Sequence, residues 1–137
     1  MILKSSNQYL YGGITEDIDV GGFNSPKAVK TREYTRVLNE YNARKNAFQA
    51  IFKKDASEWE KDASQVIKDN QYLGMEWAIQ KLKYKVQTIQ NNMKKMQGED
   101  LTNAQKELQQ INKDLSESSK KLADKIKKDK ADLASLL

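Results

Sequence analysis

Seven apolar residues, Met75, Ile79, Leu82, Val86, Ile89, Met93 and Met96, follow one another in alternating steps of four and three without an error. That period marks an α-helix presenting one narrow stripe to another helix. In heptad notation Ile79, Val86 and Met93 occupy a, and Met75, Leu82, Ile89 and Met96 occupy d. A strand cannot use such spacing, because its side chains change face at every residue. A helix lying on a membrane surface needs a broader apolar face than this. The stripe therefore predicts an all-α chain whose helices pack lengthwise on other helices. Methionine at three of the seven positions leaves that packing adaptable.

A second stripe follows at once. Leu101, Leu108, Leu115 and Leu122 fall at a, Ala104 and Ile111 at d, and Ser118 is the one polar intrusion. From Leu122 to Ile126 the step is four where three was due, and Leu133 and Leu136 continue in the new phase. Such a stutter relaxes left-handed supercoiling. Between the stripes lies Gln97-Gly98-Glu99-Asp100, which reads as a left-handed glycine closing one helix and an aspartate capping the next. A connector this short between two long stripes predicts an antiparallel helical hairpin or coiled coil. At ~1.5 Å per residue its second arm is about 55 Å long.

Upstream, Tyr34, Val37, Leu38, Tyr41, Phe48, Ile51 and Phe52 recur at helical spacing until the phase slips near Lys53-Lys54-Asp55. There Asp55-Ala56-Ser57-Glu58 fits a capping box, which favours a break over a helix running through with a skip in register. Trp59, Ala63, Val66, Ile67, Tyr72 and Leu73 then lead into the first stripe, with Gly74 as the expected kink where the phase changes. The expected helices are 26–53, 55–97 and 100–137, together one coiled-coil domain of two to three long helices.

Residues 1–25 are different. Four of the six glycines lie there, as Gly12-Gly13 and Gly21-Gly22, and the only proline, Pro26, follows Ser25. Paired glycines cost a helix heavily, while Ser-Pro suits an N-cap and first helical position. The segment reads as an extended, glycine-rich arm. Its apolar residues Tyr9, Leu10, Tyr11, Ile14, Ile18, Val20 and Phe23 are expected to dock on a neighbouring subunit or partner.

The chain contains no cysteine and no histidine, which removes disulfides, thiolate chemistry, thiolate or imidazole zinc sites and imidazole acid–base catalysis together. No phosphate loop, dinucleotide fingerprint or serine elbow is present. Glu16-Asp17-Ile18-Asp19 lacks the ligand spacing of a calcium loop. With 31% of residues charged, most carboxylates sit beside lysines on solvated helix faces, as in Glu58-Trp59-Glu60-Lys61-Asp62. The expectation is a protein that is not an enzyme and takes no cofactor, no metal and no small-molecule substrate.

Net charge is +5, and from Trp77 to Gly98 five lysines (Lys81, Lys83, Lys85, Lys94 and Lys95) occur with no acid. Counterion release gives such a run some affinity for a polyanion, but it has no arginine to read bases. Long lysine side chains also flank coiled-coil seams while keeping their ammonium groups in water. A nucleic-acid contact is therefore a candidate but not the favoured one. No apolar run reaches the ~18–20 residues of a membrane span, and Met1-Ile2-Leu3-Lys4 does not open a secretory signal. The expected location is the cytoplasm, a virion, or an exterior reached without a Sec signal.

Three function classes fit these features. The favoured one is a structural or assembly subunit of a virion, filament or secretion apparatus, forming homo-oligomers or joining other subunits through its helices and arm. Long hairpins with polar N-termini occur among type III secretion and phage structural proteins, an analogy of fold alone. The alternatives are a soluble helical adaptor or chaperone-like binding protein, and a polyanion-binding coiled coil.

Overall fold

The computed structural model describes residues 25–135. Among them every regular element is an α-helix: α1 (Pro26–Arg44), α2 (Ala47–Ile51), α3 (Ala56–Ile67), α4 (Gln71–Met93) and α5 (Gly98–Ser135). The chain divides into two units, Met1–Arg36 with Asp129–Leu137, and Val37–Lys128. In the first unit Ser25 caps α1, its Oγ accepting from Ala28 N–H at 3.1 Å and its carbonyl from Val29 N–H at 3.0 Å. Pro26 takes the first helical position, where a missing N–H costs nothing. Glu33 and Arg36 pair one turn apart on the exposed face of α1.

The core belongs to the second unit and lies where α2, α3 and α4 pack on one another and on the C-terminal half of α1. Phe48 and Leu73 have no exposure and Tyr72 has 1%, so burial concentrates around the middle of the chain. Leu122 of α5 joins this cluster, with Leu115 and Ile126 packed against it. Among the described residues the helices thus number five, of unequal length, where two to three long ones were expected.

The first expected helix, 26–53, is interrupted at Lys45-Asn46. Gln49 N–H bonds three residues back to the Asn46 carbonyl at 3.3 Å, a local tightening to 3₁₀ geometry. The tightening turns Phe48 and Ile51 into the core. Lys53 and Lys54 N–H likewise bond three residues back, to Ala50 and Ile51, and wind the helix down. Asp55 is extended (φ −60°, ψ 141°) and precedes α3, but its side chain makes no capping bond, so the capping box is not formed. The turn is held instead by Trp59, whose indole Nε1–H donates to the Lys54 carbonyl at 2.9 Å, and by Lys54 Nζ against Asp62 at 2.9 Å. That bond to Asp62, and then the Asp62 charge, raises the Lys54 pKa.

The second expected helix, 55–97, is two helices. They part at Lys68-Asp69-Asn70, and Gly74 is no kink: it lies in the first turn of α4, its N–H bonded to the Asn70 carbonyl at 3.1 Å. Asn70 causes the restart. It is 2% exposed, and its Oδ1 accepts from Tyr72 N–H at 3.1 Å and Leu73 N–H at 3.2 Å, satisfying two otherwise orphaned donors. Its Nδ2 donates to the Val37 carbonyl at 2.8 Å, which ties α1 to the start of α4. Lys68 meets the reversal at φ 41°, ψ −148°, a region glycine tolerates and other residues rarely enter.

α4 ends at Met93, short of the expected 97. Lys95 and Met96 N–H bond three residues back, to Asn92 and Met93, each at 3.1 Å. Gly98 has φ +61°, the left-handed geometry its place demanded. The helix restarts at Gly98 itself, so Asp100 sits in the first turn of α5 and not at its cap. α5 then runs unbroken through Ser118 and the step from Leu122 to Ile126. Among the described residues no helix is long and apolar enough to cross a membrane.

Candidate helix-packing interface

The two stripes fall on α4 and on α5, but they are not buried evenly. Ile79 and Leu122 are 3% and 5% exposed and belong to the core. Met75, Leu82, Val86, Ile89, Met93, Met96, Leu101, Leu108, Ile111 and Leu115 are half-buried, and from Leu82 to Leu115 only Ala104, at 7%, is buried. The reason is the length of α1–α3. Their core residues run from Val37 to Ala63 and meet α4 at Tyr72, Leu73, Trp77 and Ile79, with Phe52 and Trp59 reaching as far as Tyr84, so no residue of α4 beyond Gln80 is fully buried.

Two cavities mark how the stripes meet. Ile79 of α4 and Ser119, Leu122, Ala123 and Ile126 of α5 line one of about 270 Å³ together with Tyr41, Glu76 and Lys83. Val86 of α4 and Leu115 of α5 line a larger, open groove of about 590 Å³, with Phe52 and Tyr84 as its aromatic wall and Lys53, Lys83, Gln49, Gln80 and Gln87 completing it. The groove lies at the step where α1–α3 stop and the bare part of the stripe begins.

That wall is rigid. Phe52 stacks on Trp77 (5.0 Å, 13°) and on Tyr84 (4.7 Å, 15°), and Trp59 meets Phe52 and Tyr84 edge-on at 5.1 Å each. Phe48 closes the stack on Trp77 at 5.1 Å. Aromatic pairs in these geometries contribute about 0.5–1.5 kcal/mol each beyond the area they bury. Sequence periodicity places these residues on helices but does not reveal that one stack joins α2, α3 and α4.

Beneath the smaller cavity lies a buried polar network. Tyr41 Oη–H donates to Glu76 Oε1 at 2.8 Å, and Gln80 Nε2–H donates to Glu76 Oε2 at 2.7 Å. Glu76 and Gln80 are 8% and 9% exposed, and burial first, then the Glu76 hydrogen bond and charge, pushes the Tyr41 phenol pKa well up. Sequence reasoning missed Glu76, Gln80 and Asn70. The available signal was their position: polar residues in a segment otherwise bearing Tyr72, Leu73, Trp77 and Ile79.

The five lysines do not form one patch. Lys81 is engaged, its Nζ 3.4 Å from Glu60 Oε1 and 5.7 Å from the centre of the Trp77 ring, while Trp77 Nε1–H donates to the same Glu60 oxygen at 3.3 Å. Lys83 lines both cavities, and Lys85, Lys94 and Lys95 are exposed further along. The expected arm contacts, Tyr9, Leu10, Tyr11, Ile14, Ile18, Val20 and Phe23, lie outside the described residues. What the site offers chemically is apolar and amide surface for another helix. No family model, curated protein or solved structure matches this chain.

Proposed function

We propose that this chain is a non-enzymatic structural subunit that assembles through the half-covered stripe of α4 and α5. In this reading the two helices pair as an antiparallel hairpin. Its support is the order of the cavity linings: Ile79 goes with Leu122 and Val86 with Leu115, so α4 ascends as α5 descends. In this reading the base of the hairpin is clamped by α1–α3, which reach Tyr84, and its far end, from Ile89 to Ile111, extends past them.

The observation that carries the reading is the incomplete burial of Val86, Ile89, Met93, Leu108 and Ile111 at unbroken heptad spacing. Two helices bury only the line between them, whereas a heptad pattern kept over this length fits packing by further helices. Residues 1–25, with their apolar side chains, supply a second docking element in the same reading. A polyanion-binding role draws less support, because Lys81 is held by Glu60 and Trp77.

Light scattering tests the reading. The parent protein should give a mass above 15.7 kDa, and Ile89→Asp should return it to that value with helicity retained. A parent that is monomeric at every concentration would overturn the proposal.

A further inference from the structure

One flank of the hairpin carries a charge pattern of which, among the described residues, the fold engages only Lys81, on Glu60, and Asp114, on Gln110. At 100° per residue, Lys81, Lys85, Thr88, Asn92 and Lys95 share one flank of the α4 stripe, and every charge on it is a lysine. On α5 the same flank carries Asp100, Asn103, Glu107, Gln110, Asp114 and Glu117, and every charge on it is acidic. Lys85 and Lys95 are ten residues apart, and so are Glu107 and Glu117, about 15 Å along each helix. All four are exposed, and among the described residues none of them forms an ion pair.

We propose that a second copy of this chain covers this flank, with α4 of each copy lying along α5 of the other about a two-fold axis. The inference rests on the assembly reading above and names its partner. The levels agree: with Val86 beside Leu115 and helices running oppositely, Lys85 comes level with Glu117 and Lys95 with Glu107. A two-fold interface makes each pairing twice, since the patch meets itself. Laying α4 on α4 instead would set lysine against lysine, which costs association. Between the charged ends Thr88 comes level with Asp114 and Asn92 with Gln110, so the centre of the contact carries a hydroxyl, two amides and a carboxylate that Gln110 already holds at 3.0 Å. The four helices then enclose the half-buried stripes as one bundle.

Charge exchange tests the pairing, read by sedimentation velocity in low salt with circular dichroism to check the fold. Lys85→Glu with Lys95→Glu should weaken self-association at least tenfold, as should Glu107→Lys with Glu117→Lys. A 1:1 mixture of the two double variants should form a dimer containing one of each. If the parent associates while both variants associate equally well, or the mixture is no tighter than its components, this pairing is wrong although the assembly reading stands. A parent that never associates overturns both.

Discussion

The Tyr41 hydroxyl donates to Glu76 Oε1 at 2.8 Å inside the core, joining α1 to α4 through two residues 35 apart in sequence. Glu76 keeps its other oxygen on Gln80, so the buried carboxyl is satisfied from two directions. Removing one donor leaves a buried acceptor short, which costs more than the bond's net worth. Tyr41→Phe should lower unfolding stability by about 2 kcal/mol in urea denaturation. An unchanged midpoint would mean that the contact does not form in solution.

The same pair sets an alkaline limit. Burial and then Glu76 raise the Tyr41 pKa above the ordinary phenol value. Below about pH 10 the phenol is protonated in both folded and unfolded chains. Above that, the unfolded chain releases the proton while the folded chain holds it, so stability falls as pH rises. The parent should therefore lose Tm more steeply above about pH 10 than Tyr41→Phe does, which thermal melts at matched pH would measure.

Asn70 performs three tasks with one side chain, capping Tyr72 and Leu73 and donating to the Val37 carbonyl. Asn70→Ala should cost about 2–4 kcal/mol, adding a lost cap to a buried carbonyl left unpaired. Asn70 Nδ2 also lies 3.4 Å from Glu40 Oε1, so Asn70→Asp, which keeps the capping oxygen but turns a carboxylate toward Val37 O and Glu40, should not restore the parent's stability. Full recovery by aspartate would reduce the residue's role to the cap.

Lys68 holds a positive φ of 41° with an exposed side chain, so the strain is backbone strain alone. Lys68→Gly should stabilise the fold by about 1 kcal/mol, because glycine enters this region without a steric penalty. Lys68→Val should act in the opposite direction. Chemical denaturation of the pair would measure both signs.

Much of the helical layout was legible in the residues and some of it was not. Heptad spacing from Met75 to Met96 and from Leu101 to Leu122 placed both long helices, and Gly98 the turn between them. The break at Lys68-Asp69-Asn70 escaped because no glycine or proline marks it; an asparagine chosen by its tertiary bond to Val37 does. Periodicity also put the core in the stripe, whereas burial centres on Phe48, Tyr72 and Leu73. Spacing tells which face of a helix is apolar, but not which neighbour is long enough to cover it. That is why Ile79 and Ile89 look alike in sequence and differ in burial.

Amide hydrogen exchange, followed by mass spectrometry at low and high protein concentration, tests the assembly account most directly. Peptides spanning 82–96 and 101–115 should gain protection as concentration rises, while those covering the core around Tyr72, Leu73 and Trp77 stay the same. Exchange that is independent of concentration across 82–115 would contradict the account, because the half-buried stripes would then stand uncovered.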